Sequence, residues 1–145
     1  MEPTTYSFLD LSGALAHQSL GAYVFTGKGV GQVVVSLAEN KTEHNIAADG
    51  QVMVSKMAGH TGQIAVQCQQ TSEIHKWLLA AYNALYLADT DEWAGIAATL
   101  RNTSDGTAHL ITGMSFQKVP DKTYTKAGGM VEWVLMAADI QSISA

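Results

Sequence analysis

The chain has little of what usually betrays an activity. A single cysteine, Cys68, stands among 145 residues, so no intramolecular disulfide can form and nothing points to an oxidising compartment. Charged residues make up 14%, against about 25% in an ordinary soluble domain, and a surface with so few charges is suited to meeting protein rather than water. Eight Lys and Arg against thirteen Asp and Glu leave a net charge of −5. That excludes a nucleic-acid grip by counterion release, which needs cations clustered on one face. Aromatic residues are 8%, too few for the exposed stripe that a carbohydrate- or nucleic-acid-binding barrel would use. No run of about 18 apolar residues occurs, and the polar start Met1-Glu2-Pro3-Thr4-Thr5 lacks a basic n-region, so neither a membrane span nor a signal peptide is expected. Cytoplasmic synthesis is the default.

What is present is apolar and evenly spread. Hydrophobic residues reach 47%, no segment has a composition that fails to collapse, and one domain over residues 1–145 is long enough to bury roughly 68–70% of its unfolded surface. Leu9, Leu11 and Leu15 share one parity and predict a first strand over Tyr6–Leu15. The glycine-rich loop Gly27-Lys28-Gly29-Val30-Gly31 feeds a β-branched run, Val33-Val34-Val35. Asp49-Gly50 is a turn signal between Asn45–Ala48 and Val52–Val54, which predicts a hairpin with its tip there. Ile64, Val66 and Cys68 alternate against Gln63, Ala65, Gln67 and Gln69 as a half-buried strand.

Thr71 or Ser72 can cap a helix over about residues 73–88, where Ile74, Trp77, Leu78, Ala81 and Leu85 fall at helical spacing. Strands over about 94–102 and 107–118 flank the turn Ser104-Asp105-Gly106 and predict a second hairpin. A last strand over 130–138 has apolar residues on both faces, Val131, Trp133 and Leu135 on one and Val134 and Met136 on the other, as for a strand buried between layers or subunits. Many strands around one flanking helix predict a mainly β fold, a β-sandwich or partly closed barrel.

Motifs that carry chemistry fail on inspection. Gly27-x-Gly29-x-Gly31 precedes a valine run rather than a helix and lacks the Lys-Ser/Thr of a phosphate loop. A calcium loop opening at Asp89 would put Ala94 at its glycine position and Leu100 at its bidentate glutamate position. The five histidines never pair at i, i+4, no Gly-x-Ser-x-Gly elbow marks a nucleophile, and Cys68 reads as a small core hydrophobe. No paired acid, base or nucleophile supports an enzyme, and no catalytic, metal or cofactor-binding residue is assigned. The feature left over is the connector from Phe116 to Trp133, which holds three of the eight basic residues, Lys118, Lys122 and Lys126, with Pro120 ending one strand and Gly128-Gly129 relaxing the turn into the next. In a chain this poor in charge, those lysines can pair with acids of a neighbouring subunit, and such pairs fix register more than they add affinity.

These residues carry a resemblance. Tyr6-Ser7-Phe8-Leu9-Asp10, Ala48-Asp49-Gly50, Ala58-Gly59-His60-Thr61-Gly62, Tyr82-Asn83, and then Phe116–Lys118, Pro120, Thr123-Tyr124, Lys126, Gly128-Gly129 and Glu132-Trp133 resemble, in order and spacing, the tail tube proteins of tailed bacteriophages, small structural proteins typical of contractile tails. The resemblance implies a virion tail protein that forms stacked hexameric rings, in which strands of six subunits join into one inner β-barrel around a hollow conduit. DNA would pass through the lumen without specific binding, and sheath, baseplate and tail terminator proteins would be partners. Six copies at −5 give a ring that does not attract phosphate, although screening confines the effect to lumen-facing acids within about 8 Å. The expected subunit contacts are Asp49 and Gly50 on the hairpin and Lys118, Lys122, Tyr124, Lys126, Gly128 and Gly129 on the connector. A small ligand- or nucleic-acid-binding barrel is the competing class, and a tube terminator the competing role within the structural class.

Overall fold

The computed structural model describes residues 2–27 and 29–144; Lys28, in the expected glycine-rich loop, lies outside the described residues. Ten strands and one α-helix follow in order: β1 (Leu11–His17), β2 (Gly21–Thr26), β3 (Val30–Leu37), β4 (Thr42–Ile46), β5 (Val52–Lys56), β6 (Gly62–Gln69), α1 (Glu73–Leu87), β7 (Ile96–Asn102), β8 (Ala108–Lys118), β9 (Met130–Ala137) and β10 (Asp139–Ile143). Eight strands form one antiparallel sheet in the order β2-β1-β7-β8-β9-β6-β3, with β10 also on β8, while β4 and β5 pair only with each other. The fold is mainly β with one helix, as expected, and the sheet is open rather than a closed barrel.

β8 is the corner of this sheet. Its first part pairs with β7 and β10, its last part with β9, and only Ala138 separates β9 from β10. At the corner Gly113 has φ +65, and a Cβ there would lie 2.6 Å from the Ala138 Cβ. Only glycine meets both demands, because an L side chain is strained in that region and the Ala138 methyl occupies the space. Ala138 N–H donates to the carbonyls of both Thr112 (3.1 Å) and Gly113 (3.2 Å), so the bend loses no backbone donor.

The core draws on both sides of the corner and on the helix. Leu15, Phe25, Leu78, Ile64, Val66 and Met114 line one small internal cavity, and Trp133, Cys68, Leu78, Ile96 and Met114 are fully buried. Helix α1 starts where Ser72 Oγ accepts from the His75 N–H at 3.4 Å, satisfying one orphan donor of the first turn. It buries Ile74, His75, Leu78, Ala81 and Leu85, while Trp77 is half-buried and stacks on Tyr23 at 5.9 Å.

One expectation is corrected and two strands are added. Phe8–Asp10 is a 3-10 turn capped by Ser7, so the first strand begins at Leu11 rather than Tyr6 and Leu9 is exposed. β2 and β10 are additional strands. Of the two faces of β9, one is buried, with Val131, Trp133 and Leu135, while on the other Met130, Glu132 and Met136 are exposed in the single chain and Val134 is half-buried.

Candidate functional site

The β4–β5 hairpin stands apart from the core. Nine of its ten strand residues are exposed, and none of them joins the hydrophobic cluster. The predicted tip is present: Gly50 has φ +89, its N–H donates to the Ala47 carbonyl at 2.9 Å, and Asp49 Oδ1 accepts from the Gln51 N–H at 3.0 Å. Cross-strand pairs Ile46–Val52 and His44–Val54 lie on one face, and Asn45–Met53 and Glu43–Ser55 on the other. Ile46 (69%), Val52 (47%) and Val54 (62%) therefore form an open apolar face. An isolated two-stranded hairpin is marginal in water at best, and among the described residues no further strand pairs with this one. Its tip residues Asp49 and Gly50 are exposed, and nothing lies within 4 Å of where a Gly50 Cβ would sit.

The connector between β8 and β9 is the second exposed element. Residues 121–129 are exposed and free of regular structure. Lys118 reaches Asp121 at 3.6 Å with both side chains in solvent, and Lys122 Nζ lies 5.5 Å from the centre of the Tyr124 ring. The lysines are thus spread along the loop rather than gathered on one anion. Gly128 and Gly129 do not occupy the left-handed region, so the relaxed turn expected there is made at ordinary backbone angles. Gly129 instead ties the loop down, its carbonyl accepting from the Gln70 N–H at 3.2 Å just ahead of the helix.

The histidines are not brought together. His17 is buried, with Nδ1 accepting from the Ser19 N–H at 3.0 Å, which leaves Nε2 to donate to the Glu92 carbonyl at 3.0 Å. His75 Nδ1 accepts from the Trp133 indole N–H at 3.0 Å, and burial, with Lys122 second, lowers its pKa. His109 Nδ1 meets Ser142 Oγ at 2.7 Å on the exposed side of the β8–β10 pair. Among the described residues no three His, Cys, Asp or Glu side chains gather as a metal site, and no helix is long and apolar enough to cross a membrane. Burial raises the Cys68 thiol pKa, which suppresses thiolate chemistry.

One surface was not legible in the sequence. Tyr82 meets Phe116 edge-on at 5.6 Å and Trp93 at 6.1 Å, and stacks beside Tyr86 at 5.9 Å. Together with Val119 these side chains line an open groove of about 410 Å³ at the C-terminal end of α1. They come from the helix, the turn after it and the end of β8, so only the fold unites them.

The hairpin tip and the connector are exposed, and the aromatic groove is open. In backbone shape the chain is similar to a chain of the anti-feeding prophage baseplate (TM-score 0.62, 8% identity, 99% of this chain and 97% of that one). It is also similar to a chain of an extracellular contractile injection system sheath/tube terminator (0.58, 10%, 97% and 98%) and to one of a sheath–tube complex (0.51, 10%, 92% and 88%). No curated protein matches it in sequence. The chain belongs to the Bacteriophage PhiTE tail tube protein family, matched over residues 3–144. It is a tail-tube-type structural protein and not an enzyme.

Proposed function

We propose that this chain is the repeating subunit of a phage tail tube, assembling as hexameric rings that stack into a hollow conduit for DNA ejection in the virion tail. The observation that carries this reading, beyond family membership, is the β4–β5 hairpin: an apolar face of Ile46, Val52 and Val54 held out from the chain that owns it. A feature so costly in a lone monomer is accounted for by a neighbouring copy that covers it. The open sheet supports the same reading, because its free edges at β2 and β3 invite pairing between subunits, and ring closure would leave no unpaired edge exposed.

The outward face of β3, β6 and β9 suits the wall of such a conduit. Gln32, Gln67 and Glu132 lie side by side across the three strands, as do Ser36, Gln63 and Met136. Among the described residues the charges on this face are Glu132 and, at the end of β8, Lys118, so phosphate finds little there to hold it. Sheath and baseplate proteins are the expected partners, consistent with the particles that hold the structurally similar chains. Synthesis takes place in the host cytoplasm.

Negative-stain microscopy of the purified, concentrated protein tests the proposal. Rings or tubes of constant diameter are expected. Dispersed monomers at high concentration, with no tube in the parent particle, would sink it.

A further inference from the structure

The aromatic groove at the end of α1 is lined in part by Ala88 and Thr90, which sets Asp89 and Asp91 at its edge. Asp89 and Asp91 follow the helix directly and are exposed; among the described residues no Lys, Arg or His comes within ion-pair distance of either. They also sit at the negative end of the helix dipole, with no basic residue in its last turn, an arrangement that one chain alone leaves uncompensated. The third acid of the turn, Glu92, is already engaged by the Ser19 hydroxyl. Lys118 lines the groove too but is shared with Asp121.

The complementary element lies at the opposite end of the same helix. The connector leaves the groove at Val119 and is fastened beside the helix start by the Gly129–Gln70 hydrogen bond, and the charge of Lys122 acts on His75 in the first helical turn. It presents Lys122 and Lys126, neither within ion-pair distance of a carboxylate among the described residues, and between them Tyr124, 79% exposed. A 15-residue helix is about 22 Å long, which separates this basic segment from the acidic rim of its own chain.

We infer that the groove receives the connector of a second copy: Tyr124 enters among Tyr82, Tyr86, Trp93 and Phe116, while Lys122 and Lys126 pair with Asp89 and Asp91. Resting on the tube reading, this deepens it by naming both halves of one subunit contact. The two patches lie at different ends of one helix, and in the tube reading they join head to tail, the kind of contact that makes rings or filaments. The aromatic insertion supplies the buried area and the charges supply the register.

Cysteine trapping and charge exchange test the contact. The double variant Lys126→Cys/Asp91→Cys, mildly oxidised, is expected to give a ladder of cross-linked oligomers on a non-reducing gel, whereas either single variant gives dimers at most; Cys68, with 0% exposure, contributes none. Lys122→Glu/Lys126→Glu is expected to raise the protein concentration needed for assembly at least about tenfold, and adding Asp89→Lys/Asp91→Lys to restore it. All four positions are exposed, so unchanged melting curves show that each variant folds. Tubes that form while the double-cysteine variant yields no ladder and the reversed lysines leave assembly unchanged overturn the loop-in-groove contact and leave the tube reading standing. A wild-type protein that forms neither ring nor tube overturns both.

Discussion

Replacing Trp133 by Phe is expected to cost far more than the loss of a few ring atoms. Trp133 is 0% exposed, its ring meets Phe116 at 5.5 Å, and its indole N–H donates to His75 Nδ1. Because Nδ1 accepts, the neutral His75 ring carries its proton on Nε2, and that buried N–H has no partner among the described residues. Trp133→Phe leaves Nδ1 without a donor as well, a buried unsatisfied acceptor worth about 1–3 kcal/mol. The smaller ring gives up the equivalent of one or two buried methylenes, about 1–1.5 kcal/mol. The sum, about 2–4.5 kcal/mol, is measurable by urea denaturation followed by circular dichroism. In a His75→Leu background the acceptor is gone and the buried indole N–H is itself orphaned, so the same change is expected to cost no more than its packing part and the cycle to show coupling of about 1 kcal/mol or more. Strictly additive single effects would refute the role given to the hydrogen bond.

Four further outcomes are expected. Burial, followed by Lys122, holds the His75 pKa below its ordinary 6.5; between that folded value and 6.5 the unfolded chain binds more protons, so His75's contribution is fully present above pH 6.5 and is lost as pH falls through the folded pKa. Denaturation across this range should show the loss in the wild type, and an equal loss in His75→Leu would count against it. Gly113→Ala, which puts a Cβ at φ +65 against Ala138, should lower stability by about 2 kcal/mol or more in a thermal melt. Ser72→Ala should cost about 1 kcal/mol through the lost helix cap, read in the same assay. Val52→Glu/Val54→Glu should leave the monomer's melting unchanged and abolish sedimenting assemblies in an ultracentrifuge, since both side chains face solvent in the isolated chain.

Local rules made some elements readable and left others hidden. The hairpin tip at Asp49-Gly50 and the helix after Ser72 were legible because turn and capping chemistry is set by neighbours in sequence. The start of the first strand is hidden because Leu9 continues the parity of Leu11 and Leu15, while Ser7 captures the Leu9 N–H and winds residues 8–10 into a 3-10 turn. β2 begins with Gly21 in the left-handed region and exposes Val24, so its pattern does not read as half-buried. β10 follows β9 after one residue, and its separate identity depends on the Gly113 corner contributed by another strand. Of the connector, the lysines and Tyr124 were visible as a distinctive stretch. The groove that complements them was not, because Tyr82, Trp93 and Phe116 meet only after the helix packs on the sheet.

Cryo-electron microscopy of the assembled protein tests the central claim most directly. The account predicts six copies per ring around an open lumen, with Ile46, Val52 and Val54 of every hairpin covered by a neighbouring copy. A reconstruction in which the hairpins remain in solvent, or in which the protein lies outside the conduit wall, would contradict it.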